Sequence, residues 1–339
     1  EMCIRDRTRA KYKETLNYVA APGSFQEQYF ELDLRPGDYT VKVTALGVEA
    51  TSQLGVGKDE GEPTLTEVDL DGDGIMEYTM ENDSVKVTLI TAGARVIEYT
   101  AKSRNDNVFF KLWPEKPVDD RRPFRKRGFY PYGGFEDFLG QASLETHQIY
   151  HAEVTRSEGS YVQVKMWYNY YGNRMEKIFT LYGNSPLLEV RFAMDFQHYP
   201  ETNMLGPQPI LELGEKHWTE DAFFSHELGG IEEYRMDPDR YYGKAIQVKE
   251  GWNAGYDTEA DVSFVGAFPV DRPLFLHMWM NNDYNRDSHY FYVEFQPWLH
   301  IQRRTISYFS YHMWAAGGSW EQGLKEMRDR NLISVTKKQ

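Results

Sequence analysis

Three aspartates at alternate positions, Asp69, Asp71 and Asp73 in "VDLDGDGIMEYTMEND" (68–83), form the densest set of metal-capable side chains in the chain. A hard cation such as Ca2+ takes about six to eight oxygens, and a tight turn aims alternate side chains at one centre. Gly74 stands where such a loop bends sharply, Ile75 offers a backbone carbonyl, and Glu77 completes the candidate ligand set. The place of the closing bidentate glutamate of a helix–loop–helix calcium site is taken by Met80, and the flanks "EPTLTEV" and "IMEYTM" read as strands. That excludes the helical motif. Two readings stay open: a structural Ca2+ loop between strands, closed by Glu81 or Asp83, or a plain Asp/Gly hairpin turn.

A second stretch, "RRPFRKRGFYPYGGFEDFLGQ" (121–141), puts Arg121, Arg122, Arg125, Lys126 and Arg127 next to aromatics, a double glycine and two carboxylates. Tyr132 offers a ring for stacking on sugar C–H surfaces and Glu136 an acceptor for hydroxyls. Gly133 and Gly134 admit a close backbone approach, and Arg127 with its neighbours draws anions. The competing reading is a solvated loop whose arginines pair with acids elsewhere. Late in the chain Glu294 sits among Tyr292, Phe295, Pro297 and Trp298 in "YFYVEFQPW". Burial in an aromatic-lined cleft would raise its proton affinity toward that of a general base; on an exposed strand face it would be inert. Trp279 and Trp298 are stacking or core candidates, and His198, His217 and His226 are the imidazoles in a suitable part of the chain.

The elements that must position these groups are strands. Aromatic residues make up 15% of the 339 residues, with 24 tyrosines, and β-branched and aromatic residues recur in short alternating runs broken by Gly, Pro, Asn and Asp, the pattern of an all-β chain. "SVKVTLI" (84–90) pairs back through Ala92-Gly93 to "ARVIEYTA" (94–101), "NVFFKLW" (107–113) follows, and further strands are expected at 150–156, 160–170, 174–182, 186–196, 208–213, 245–250, 261–268, 273–280, 289–296 and 304–313. Without a βα rhythm, these predict two large antiparallel sheets packed face to face. One helix is expected from Ser319, with Trp320, Leu324 and Met327 on one side and Gln322 in a capping box. Upstream, "YFELDLRPGDYTVKVTA" (29–45) reads as the closing strands of a smaller sandwich. The expected domains are therefore a partial small β-sandwich at 8–58, a linker with the Asp-rich loop at 59–83, and the large sandwich at 84–333.

Charge narrows the partners. Lys and Arg number 38 against 52 Asp and Glu, for a net charge of −14, which argues against nucleic acid, because phosphate contacts dominate such binding. No stretch approaches the ~20 apolar residues of a membrane helix, so no membrane insertion is expected. The opening "EMCIRDR" resembles translated sequencing-adapter read-through, which makes 1–7 an expected artefact of metagenomic sequence and implies a missing N-terminus with additional upstream domains. The 1 cysteine, Cys3, lies in that segment, so disulfide and thiol chemistry are not expected of the rest.

The hairpin "NDSVKVTLITAGARVIEYTAK" (82–102), "YGGFED" and "YFYVEFQPW" together resemble the galactose mutarotase-like superfamily over about residues 80–333. The resemblance implies a large antiparallel β-supersandwich holding a mono-, oligo- or polysaccharide on a concave sheet; separately, an extracytoplasmic or secreted location is expected. Carried over, Glu294 matches the epimerase base, with His217 or His226 as the candidate acid and Tyr132, Glu136, Trp298, Trp279 and Arg127 as candidate sugar contacts. The superfamily's Asn-His motif, followed by an aromatic and Asn-Leu, does not occur here. A uronate-cleaving polysaccharide lyase and a non-catalytic glycan-binding module are the rival readings.

Overall fold

The computed structural model describes residues 2–5, 10–14, 37–45, 48–56, 61–70, 72–111, 133–139, 148–170, 172–183, 185–198, 203–214, 218–236, 241–270, 273–282, 291–301, 304 and 306–335. It divides into two compact units, Glu1–Glu60 and Gly61–Gln339. In the first, β1 (Met2–Arg5), β2 (Ala10–Glu14), β3 (Gly37–Ala45) and β4 (Val48–Val56) make a sheet of order β2-β1-β3-β4. The run after Gly47 supplies β4, paired residue for residue with β3, within the stretch 8–58 expected as part of a small sandwich.

The second unit is two antiparallel sheets. One contains β5 (Thr64–Val68), β6 (Glu77–Glu81), β7 (Val85–Ile90), β8 (Arg95–Ala101), β9 (Asp106–Asn107), β10 (Gly134–Leu139), β15 (Asn203–Leu211), β18 (Tyr241–Ile246), β21 (Pro273–Asn282) and β22 (Phe291–Ile301). Its order is β18-β21-β22-β15-β10-β8-β7-β6-β5, with β9 paired to β8. The other contains β11 (His151–Arg156), β12 (Tyr161–Tyr170), β13 (Asn173–Tyr182), β14 (Leu187–Asp195), β16 (Asp221–Glu227), β17 (Gly230–Tyr234), β19 (Val248–Asp257), β20 (Val262–Ala267) and β23 (Ile306–Gly317), in the order β11-β12-β13-β14-β23-β20-β19-β16-β17. The segment expected as linker thus contributes an edge hairpin, β5–β6, to the larger sheet. Its Asp-rich loop lies inside the second unit, not at the division between units.

Period-two alternation fixes which side chains meet. Val85, Val87 and Leu89 of β7, Val293 and Phe295 of β22, and Phe179 and Leu181 of β13 are buried in one core between the sheets, each worth about 1.5–3 kcal/mol when fully buried. One ion pair is sealed in that core. Lys177 of β13 reaches Asp137 of β10 and donates to the Gly93 and Ala94 carbonyls at 2.7 and 2.9 Å, with both charged side chains 2% exposed. Those carbonyls belong to the β7–β8 turn, where Gly93 and Ala94 have φ of 72° and 46°. The only helix among the described residues, α1 (Trp320–Asp329), is capped by Ser319, whose Oγ accepts from Glu321 N. It packs Trp320, Leu324 and Met327 on the outer face of the nine-stranded sheet, against Trp252, Val265 and Trp314.

Candidate functional site

The face of the ten-stranded sheet turned away from the core collects the chemistry-bearing residues. On β22, inward Val293 and Phe295 force Tyr292, Glu294, Gln296 and Trp298 to the other side. Glu294 pairs with Trp279 of β21 on one flank and Ile210 of β15 on the other, and Gly134 of β10 pairs with Ile210. One pleat away runs a polar row. His277 of β21 pairs with Gln296, Gln208 of β15 pairs with Glu136 of β10, and Arg95 of β8 meets Glu136 at 2.7 Å. Across β21 and β22 the next pair is Phe275 with Trp298. Four expected site residues, Glu294, Glu136, Trp279 and Trp298, therefore share one face.

Burial varies along this face. Glu136, Gln208 and Gln296 are 1%, 3% and 6% exposed, while Glu294, Trp279, Trp298 and His277 are half-buried. Gln296 lies over Gly206, donating to its carbonyl at 3.3 Å, in space that a side chain at Gly206 would fill. Phe110 stacks near Tyr292, ring centroids 5.0 Å apart, in a small cluster with Ile210 and Trp279. Trp279 and His277 lean toward β18, where the Trp279 ring covers Gly243. Desolvation holds the His277 pKa below the usual histidine value, so its imidazole is mostly neutral at pH 7.

The double glycine has a different role from the expected one. Gly133 and Gly134 adopt φ of 108° and 80°, and a Cβ on them would collide with the carbonyl oxygens of Phe110 and Val96 respectively. They admit neighbouring backbone, not a ligand, and Gly134 N donates to Phe110 O at 2.8 Å.

The histidines expected as partners of Glu294 do not join it. His226 lies on β16 of the nine-stranded sheet, with Nδ1 3.1 Å from Glu250, which also accepts from Trp252 Nε1 at 2.8 Å and Arg328 at 2.6 Å. Burial raises the Glu250 pKa, but hydrogen bonds from Arg328, His226 and Trp252 outweigh it and bring the value to about 2. His226 thus anchors the helix side of the molecule. His198 is exposed beyond β14 of that sheet, its backbone N–H donating to Asn173. His217, Tyr132, Arg127 and Asp71 lie outside the described residues. His277, the imidazole on this face one pleat from Glu294 (His300 lies further along β22), escapes sequence reasoning because its placement depends on the β21–β22 register; the signal available was its two-residue spacing from Trp279.

In the Asp-rich turn, Asp69 accepts the backbone N–H groups of Gly72, Asp73 and Gly74 at 2.7, 3.1 and 3.0 Å, and Asp73 accepts Ile75 N at 2.7 Å. Glu77 is buried and accepts Leu70 N at 2.7 Å. These bonds shape the loop. Among the described residues no three acidic, histidine or cysteine side chains are grouped to hold a metal.

The two stacked antiparallel sheets, with their chemistry-bearing residues on the outer face of the larger one, define a galactose mutarotase-like fold. Solved structures of that kind superpose on the chain: a candidate aldose 1-epimerase from Klebsiella pneumoniae, with TM-score 0.57 and 9% identity, covering 87% of this chain and 88% of that one, and a candidate mutarotase (YeaD) from Salmonella typhimurium, with TM-score 0.54 and 10% identity over 75% and 94%. A TPR-domain containing protein from Parabacteroides distasonis matches at TM-score 0.51 and 13% identity over 75% of this chain, which spans only 53% of its length. No family model and no curated protein sequence matches the chain.

Proposed function

We propose that the protein binds a sugar on the outer face of the ten-stranded sheet and interconverts its anomers. The observation that carries this reading is the polar row of His277, Gln296, Gln208 and Glu136, set between Trp279–Glu294 and Phe275–Trp298 on one sheet face. Polar side chains cost stability when buried in a sandwich unless hydrogen-bonded, and a row of donors and acceptors beside aromatic rings matches a polyhydroxyl ring with apolar C–H faces.

In this reading Glu294 takes the proton of the anomeric hydroxyl while the protonated form of His277, a minority at pH 7, gives one to the ring oxygen. The C1–O5 bond breaks and the C1–O1 bond becomes a carbonyl; ring closure on the opposite face returns both protons. The two side chains sit diagonally on adjoining strands, a spacing of about 7 Å between backbones, room for the O1–C1–O5 unit between them. Polarimetry on freshly dissolved α-galactose and α-glucose tests this. Glu294→Gln should abolish acceleration and His277→Asn should lower it by about 10²-fold or more. Sugar binding with mutarotation no faster than buffer would leave a non-catalytic glycan-binding module.

We also propose that the Asp-rich turn takes a structural Ca2+ through Asp69, Asp71, Asp73 and the Ile75 carbonyl. Its support is the all-oxygen donor set; Glu77, turned inward, keeps to Leu70.

A further inference from the structure

A second cluster of titratable groups stands apart from Glu294, where the two sheets meet near Gly214. Asp221, at the start of β16, is fully buried, and neither of its carboxylate oxygens has a hydrogen-bond partner. Directly opposite on β19 is Asp257, 3% exposed. Asp257 is committed: one oxygen accepts Glu259 N and Ala260 N at 2.7 and 2.9 Å, and the other lies against Gly214, where no side chain fits. Asp106 of β9, in the other sheet, accepts Gly214 N at 3.2 Å.

We infer that Asp221 and Asp257 form a proton-dependent clasp across the neighbouring strands β16 and β19 of the nine-stranded sheet, packed against Gly214 after β15 of the other sheet, relaxed while Asp221 carries a proton and strained when it ionises. Two carboxylates on facing strand positions with Cβ atoms about 5 Å apart cannot both be charged cheaply. Asp257 accepts two backbone N–H groups whereas neither oxygen of Asp221 has a donor, so Asp221 is the member of the pair whose charge is left without hydrogen bonds. Each group facing Asp221 adds to the penalty on its charge: burial first, then Asp257, Glu220, Glu212 and Asp106, which together put its pKa well above the ordinary value. The one described cation nearby, Arg235, reaches the backbone carbonyls of Glu220 and Asp221 at 3.3 and 3.2 Å rather than the carboxylate. Residues 215–217 lie outside the described residues.

The sign of the linkage follows. A carboxyl whose proton is favoured in the folded state contributes stability that is whole below its ordinary value of 3.8 and is lost as pH rises through the raised value. Asp221→Asn keeps the shape and removes the ionisation. In the full chain, its melting temperature should exceed that of wild type by on the order of 3 °C or more at pH 8, with the gap closing toward pH 4. A gap that stays constant between pH 4 and 8, or a variant less stable than wild type at pH 8, overturns the clasp. If the variant does not fold, the carboxyl carbon shift of Asp221 in labelled wild type decides: a neutral-acid shift at pH 7 is expected, and an ionised one overturns the inference.

Discussion

Replacing Lys177 with Met puts a number on the ion pair buried between the sheets. The ammonium has three acceptors, Asp137 and the Gly93 and Ala94 carbonyls, and the rings of Tyr150 and Phe192 lie 5.3 and 5.9 Å away. Methionine fills most of the stem volume but leaves a buried carboxylate and two carbonyls without their donor. Removing one partner of a buried pair costs about 3–5 kcal/mol, and part of this is the orphaned carbonyls at ~1–3 kcal/mol each. At about 2–4 °C per kcal/mol, the melting temperature falls on the order of 10 °C. All 8 tryptophans lie beyond Gly61, so urea unfolding followed by their fluorescence reports the second unit alone. Adding Asp137→Leu to Lys177→Met should restore most of the loss, because an apolar pair of similar volume avoids desolvation. A loss below about 1 kcal/mol for Lys177→Met, or a double variant no more stable than the single, would refute the assignment of a buried, mutually dependent pair.

Other outcomes follow from the same physics. Glu250, held at about 2 by Arg328, His226 and Trp252, contributes stability that is whole above its ordinary 4.5 and is lost as pH falls through about 2; Glu250→Gln should flatten the melting-temperature profile between pH 5 and pH 2, and an unchanged slope counts against the network. Millimolar Ca2+ should raise the melting temperature of the full chain by mass action on the folded state, and Asp71→Ala should erase the rise; no response in wild type would leave the Asp-rich loop a hairpin turn.

The fold was legible where alternation and burial coincide. "SVKVTLI" and "FYVEFQPW" each bury every second residue, so strand, face and sandwich follow from period two, and Trp320, Leu324 and Met327 give the helix its packing side. The missed strands fall into two kinds: β17 exposes Glu232 and Glu233 and half-covers its ends, so it reads as loop, whereas β10 and β16 are largely buried but their sequences, GFEDFL and DAFFSHE, lack a clean apolar–polar alternation. The face shared by Glu294, Trp279 and Trp298 was within reach, since each lies at an outward position of its strand. What lies beyond a single sequence is register and sheet membership. His277 faces Gln296 only because β21 and β22 pair as they do, whereas His226, no less promising by type, sits on a strand that the chain commits to the other sheet.

The central claim, a sugar seated on the outer face of the ten-stranded sheet, is tested most directly by the indole N–H resonances of the tryptophans during titration with galactose and glucose. Saturable shifts confined to Trp279 and Trp298, with Trp320 of the helix and Trp252 beneath it unmoved, are the predicted result. Absence of any shift at Trp279 and Trp298 at saturating sugar, or shifts centred on Trp252 and Trp320, would contradict it.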